Sequence, residues 1–103
     1  MQIIKTKEEY ENILKDNKSV YVDFYADWCG PCKMTGPVVE ALSKVYTDVQ
    51  FVKVNVDNNP EIASMYGIMS IPTLIGFKEG KEVNKTLGFH PQPELDKLVQ
   101  EIR

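Results

Sequence analysis

Seven consecutive residues, Ser19-Val20-Tyr21-Val22-Asp23-Phe24-Tyr25, constrain this chain more than any other stretch. They are β-branched or aromatic at nearly every position, which reads as a strand. A strand that is apolar on both alternating sets must be covered on both faces, as a central strand is. Its single charge, Asp23, lies where a lone carboxylate is costly unless neutralised or paired. Burial should raise its pKa toward the range of a general base, unless the residue sits at a sheet edge bonded to backbone.

The rest of the chain supplies elements to cover such a strand. Thr6-Lys7-Glu8-Glu9 is a capping box opening a helix with Tyr10, Ile13 and Leu14 at helical spacing, ending near Asn17. A second helix is predicted from about Cys29 to Tyr46. Its apolar stripe is Val38, Val39, Leu42, Val45 and Tyr46, and Pro37 should kink it. Gln50 to Val56 reads as a strand, and Pro60 to Tyr66 as a short helix closed by Gly67. Thr73–Lys78 and Glu82–Leu87 form a hairpin about Glu79-Gly80-Lys81. The last helix starts near Pro91, with Pro91 and Pro93 in its first turn and Leu95, Leu98, Val99 and Ile102 on one face. The order is βαβαβαββα, parallel crossovers and then a closing hairpin, which implies an α/β fold: a mixed sheet with helices on both faces. At 103 residues this is one domain, 1–103, with a core large enough to need no metal or structural cross-link.

Composition narrows the function. The net charge is −3, from 12 Lys and Arg against 15 Asp and Glu, and no basic run occurs, so nucleic acid and anionic membranes are poor partners. Nothing approaches the ~20 apolar residues of a membrane span. Charged residues follow Met1-Gln2-Ile3-Ile4 at once, which reads as no signal peptide and a cytoplasmic protein with free thiols.

The only two cysteines lie in Trp28-Cys29-Gly30-Pro31-Cys32, between the end of the apolar strand and the start of a helix. Residues three apart at a helix start share a side, so the sulfurs can come within bonding distance. Free N–H groups and the helix dipole there stabilise a thiolate on the first cysteine, which makes it the nucleophile. Pro31 suits the first turn and stiffens the loop, Gly30 keeps the approach open, and Trp28 adds an apolar shoulder. Two other readings stay open: a zinc site, for which one pair plus His90 is a poor ligand set, and two unconnected buried cysteines.

This segment, Val22 to Met34, resembles the active-site stretch of the thioredoxin family. Asn55-Val56-Asp57 with Asn59-Pro60, Tyr66-Gly67-Ile68 leading to Ile71-Pro72-Thr73, and Gly88 extend the likeness over essentially the whole chain. The resemblance implies a thioredoxin fold of about five strands flanked by four helices. It implies a protein disulfide reductase cycling between a Cys29–Cys32 dithiol and disulfide, with no bound cofactor or metal. It also implies that Asp23 accepts the proton of Cys32, that Lys53 tunes Asp23, and that the Ile71–Pro72 bond is cis. Trp28, Val56, Ile71, Pro72 and Gly88 would form the apolar docking patch. Implied partners are NADPH acting through a thioredoxin reductase, and ribonucleotide reductase, peroxiredoxins and methionine sulfoxide reductases as targets of a monomer. Two rivals remain: a scaffold subunit that needs neither sulfur, and a disulfide-forming oxidant. The chain departs from the family pattern at Tyr25, Gly36, Gly76, Met69-Ser70 and His90-Pro91-Gln92-Pro93.

Overall fold

The computed structural model describes residues 1–103. Five strands, β1 (Gln2–Ile3), β2 (Ser19–Tyr25), β3 (Gln50–Asn55), β4 (Thr73–Lys78) and β5 (Lys81–Leu87), form one sheet in the order β1-β3-β2-β4-β5. β3 runs parallel to β1 and β2, whereas β4 is antiparallel to β2 and β5 to β4. Four helices complete the chain: α1 (Lys7–Asp16), α2 (Gly30–Val45), α3 (Pro60–Met65) and α4 (Gln92–Glu101).

β2 occupies the centre of the sheet, as its unbroken apolar run demands, and strand alternation sends its side chains into two separate cores. Val20, Val22 and Phe24 join Tyr10 of α1 and Ile62 of α3 in one core. Tyr21 joins Val39 and Leu42 of α2 and Leu95 and Val99 of α4 in the other. Asp23 points to this second face, in mid-strand rather than at a sheet edge, and neither oxygen has a hydrogen-bond partner.

Most element ends fall where residue chemistry puts them. The Glu9 N–H donates to Thr6 Oγ1 at 3.1 Å, while the Glu9 carboxylate accepts from the Lys5 N–H at 2.9 Å. Gly67 takes φ +60 after α3. Several details differ from the sequence reading. Cys29 caps α2 instead of starting it, and Pro91 likewise caps α4, leaving Pro93 in the first turn. β5 begins at Lys81, so the hairpin turn is the pair Glu79-Gly80, both at positive φ as a two-residue primed turn requires. Val45 is not part of the α2 stripe. It is 64% exposed, whereas Tyr46, the next residue, is 8% exposed and joins the second core with Val39 and Leu42.

Gly76 in β4 makes room for a neighbour. A Cβ there would stand 2.7 Å from Asn84 Oδ1 and 3.1 Å from Ile102 Cγ2. Asn84 cannot simply swing away, since its Nδ2 donates to Leu98 O and to Glu101 Oε1, both at 3.0 Å. Gly76→Ala is therefore expected to destabilise the fold by about 1–3 kcal/mol. Urea unfolding would measure this, and an unchanged midpoint would show that Asn84 yields freely.

Candidate active site

The C-terminal end of β2 feeds directly into the start of α2, and this junction carries the two cysteines. They are joined as a disulfide, with Cα atoms 5.3 Å apart. Pro31 occupies the first turn of α2, where no intrahelical donor is lost. Nothing lies within 4 Å of a Cβ built on Gly30, so the flank of the pair is open.

Exposure does not distinguish the sulfurs, since Cys29 is 3% and Cys32 7% accessible. Their surroundings do. Cys29 Sγ sits in the N-cap position and accepts the Cys32 N–H at 3.2 Å. It also lies 3.6 Å from the carbonyl oxygen of Ile71. A sulfur that receives a backbone N–H at the positive end of a helix holds negative charge best. Cys32 instead lines a cavity of about 340 Å³ together with Asp23, Tyr25, Pro37, Glu40 and Lys53.

Asp23 is 1% exposed. Burial raises its pKa from 3.8 to about 6, an increase partly opposed by Lys53. Lys53 stands directly across from it on β3, with its ammonium 4.3 Å from the centroid of the Tyr25 ring. The lysine is thus held over an aromatic face rather than freely solvated.

The loop before β4 closes the other side of the pair. The Ile71–Pro72 peptide is cis. The Gly88 N–H donates to the Pro72 carbonyl at 2.8 Å, and Gly88 has φ +77, a conformation open to glycine. Val56 is half-buried and packs with Ile71 against Ala26 and the cysteines. Trp28 is 71% exposed. The structure therefore brings Trp28, Val56, Ile71, Pro72 and Gly88 around one end of the sheet.

Two contributors escaped the sequence reading. Asp57 accepts the Trp28 indole N–H at 2.8 Å, and Asn55 Oδ1 orders that turn by accepting the Asp57 and Asn58 N–H groups. The Asn-Val-Asp segment marks this turn but not its tie to a residue 29 positions earlier. Met69 and Met34, both exposed beside this end of the fold, had only helical position or an absent basic residue as signal. No group of three or more His, Cys, Asp or Glu residues is placed to hold a metal ion. His90 instead bonds Glu94 Oε2 and Leu87 O at the start of α4.

A reversible sulfur pair at a helix N-terminus, backed by a buried carboxyl and a cis-proline loop on a mixed sheet, defines a thiol–disulfide oxidoreductase. The family model described as Thioredoxin matches residues 1–101. The thioredoxin of Mycoplasmoides gallisepticum is 49% identical over 100 residues, spanning 97% of this chain and 100% of the relative. A Plasmodium falciparum thioredoxin structure superimposes with a TM-score of 0.93 at 37% identity, covering 100% of both chains. A structure from work on thiol resolution in yeast mitochondrial 1-Cys peroxiredoxin via glutathione/thioredoxin systems gives 0.90 at 35%, covering 98% of this chain and 94% of that one. The chain belongs to the thioredoxin family. Its function is protein disulfide reduction through Cys29 and Cys32.

Proposed function

We propose that the chain, acting as a single domain over residues 1–103, reduces protein disulfides with the following division of labour. A substrate docks on Trp28, Val56, Ile71, Pro72 and Gly88, and the exposed backbone at Ile71 pairs with an extended substrate segment. The Cys29 thiolate attacks one substrate sulfur, and the other leaves as a thiolate that takes up a proton. Asp23 then accepts the proton of Cys32, and the new thiolate attacks Cys29 Sγ, expelling the second substrate sulfur. Two electrons pass to the substrate, and the protein is left with the Cys29–Cys32 bond. Gly30 and Pro31 set the geometry of the pair, and Lys53 tunes the charge on Asp23.

The observation that carries this reading is that Cys32, bonded to Cys29, lines the same cavity as a buried carboxyl whose pKa burial raises to about 6. No helix is long and apolar enough to cross a membrane. We place the protein in the cytoplasm as a monomer, recharged by NADPH through a thioredoxin reductase. Ribonucleotide reductase, peroxiredoxins and methionine sulfoxide reductases are the target classes. Supplying NADPH, a bacterial thioredoxin reductase and insulin tests the assignment. NADPH consumption should track insulin reduction; consumption without insulin reduction would defeat it.

A further inference from the structure

The second core contains more unpaired oxygen than its apolar composition suggests. Tyr21 Oη, both Asp23 carboxylate oxygens, Thr35 Oγ1, Asn84 Oδ1 and Thr86 Oγ1 are all buried without a hydrogen-bond partner. These five residues share one side of the sheet. Tyr21 and Asp23 are two apart on β2 and so project to the same face. Asp23 aligns with Leu74 on β4, and Leu74 with Thr86 on β5. Tyr21 aligns with Gly76, and Gly76 with Asn84, so the missing side chain at Gly76 leaves the neighbouring rung to Asn84. Thr35 comes down from α2, one helical turn after Cys32.

Buried oxygens gathered like this are satisfied either by one another or by internal water, which typically makes about three hydrogen bonds to such groups. The set is chemically matched for that purpose. Three hydroxyls can donate, whereas the Asp23 carboxylate and the Asn84 carbonyl can only accept. The Tyr21 hydroxyl lies close enough to Thr86 for that side chain to act on its ionisation, yet neither oxygen closes a hydrogen bond of good geometry.

From this arrangement we infer that Tyr21 is a positioning residue for the proton transfer: with Thr35 and Thr86 it forms a hydroxyl layer, bridged by internal water, that donates hydrogen bonds to the Asp23 carboxylate. The inference rests on the reading of Asp23 as the base for Cys32. Burial and the neighbouring Asp23 charge keep the Tyr21 phenol protonated well beyond its ordinary range, so it is a donor whenever Asp23 is ionised. Donation to a carboxylate favours its charged form, which acts in the same direction as Lys53 and against burial. The other titratable or charged groups on Asp23's cavity side are Tyr25, Asp27, Cys32, Lys33, Glu40 and Lys53, and the Tyr21 substitution changes none of them.

Tyr21→Phe deletes the hydroxyl and keeps the ring, including its edge contact with Phe51 at 5.7 Å between centroids. The Asp23 carboxyl carbon, followed by ¹³C NMR in the intact protein, should titrate about half a pH unit higher in this variant. Thr86→Val should shift it the same way by less. Between pH 5 and 6 the release of substrate from the mixed disulfide should slow by about two- to threefold, the same factor as the fall in ionised Asp23. An Asp23 midpoint coincident with that of the unmodified protein in both variants would overturn the inference, whatever happens to thermal stability. A shifted midpoint with an unchanged release rate would uphold the Tyr21 link and instead defeat the reading of Asp23 as base.

Discussion

Cys29→Ser should lose disulfide-reductase turnover by about a thousandfold or more, since a serine hydroxyl cannot replace a thiolate as nucleophile or as electron carrier. Cys32→Ser should behave differently. It should attack a substrate disulfide once and then stop as a stable mixed disulfide on Cys29, visible as an intact-mass increase that dithiothreitol removes. The asymmetry follows from the N-cap. Cys29 Sγ accepts the Cys32 N–H at the positive end of α2, and that N–H survives the change to serine. Cys32 Sγ accepts no such N–H and shares its cavity with Asp23, the proposed acceptor of its proton. Were the two variants equally impaired in the first attack, the N-cap would not be what selects the nucleophile. A Cys29→Ser protein that still reduced insulin at the normal rate would refute the dithiol assignment outright.

Much of this fold is legible in the chain because β2 is so constrained. A run with no polar face has to be central, and a central strand fixes which neighbours are needed on each side. The same logic makes Asp23 conspicuous, and its burial follows from its neighbours alone. The cysteine pair is equally plain, because its spacing acquires meaning from the strand-to-helix junction around it. What cannot be read locally is whatever depends on distant partners. The two residues of β1 carry no period, and their pairing with β3 is set by the tertiary context. Val45 satisfies the helical spacing of α2, yet it is exposed, and the second core takes Tyr46 instead. Trp28 looks like a free apolar shoulder until Asp57 is seen to hold its indole. Tyr21 reads as one more aromatic strand residue. Its hydroxyl matters only because Gly76, Asn84 and Thr86, more than fifty positions later, bring other unpaired oxygens to the same layer.

Asp23→Asn should make the protein more stable at pH 8 while slowing its second chemical step. The native-state pKa of Asp23 is about 6, against 3.8 for the free side chain, and burial is the main cause. For an acid whose pKa is raised by folding, the native state binds more protons than the unfolded chain between those two values. Stability is therefore fullest below about pH 4, falls as the pH rises through about 6, and stays reduced above that. A shift of roughly two units corresponds to about 3 kcal/mol. The neutral, isosteric asparagine removes that penalty. Urea unfolding should show Asp23→Asn exceeding the unmodified protein by about 2–3 kcal/mol at pH 8, with the two curves converging near pH 4. An equal difference at both pH values would mean that the charge of Asp23 is not what destabilises the fold. Asparagine cannot take up the Cys32 proton, so release of substrate from Cys29 should slow above pH 6 in the same variant. Stability gained and rate lost on one substitution is the signature of a buried charge kept for chemistry, at a place where packing alone would have chosen a neutral side chain.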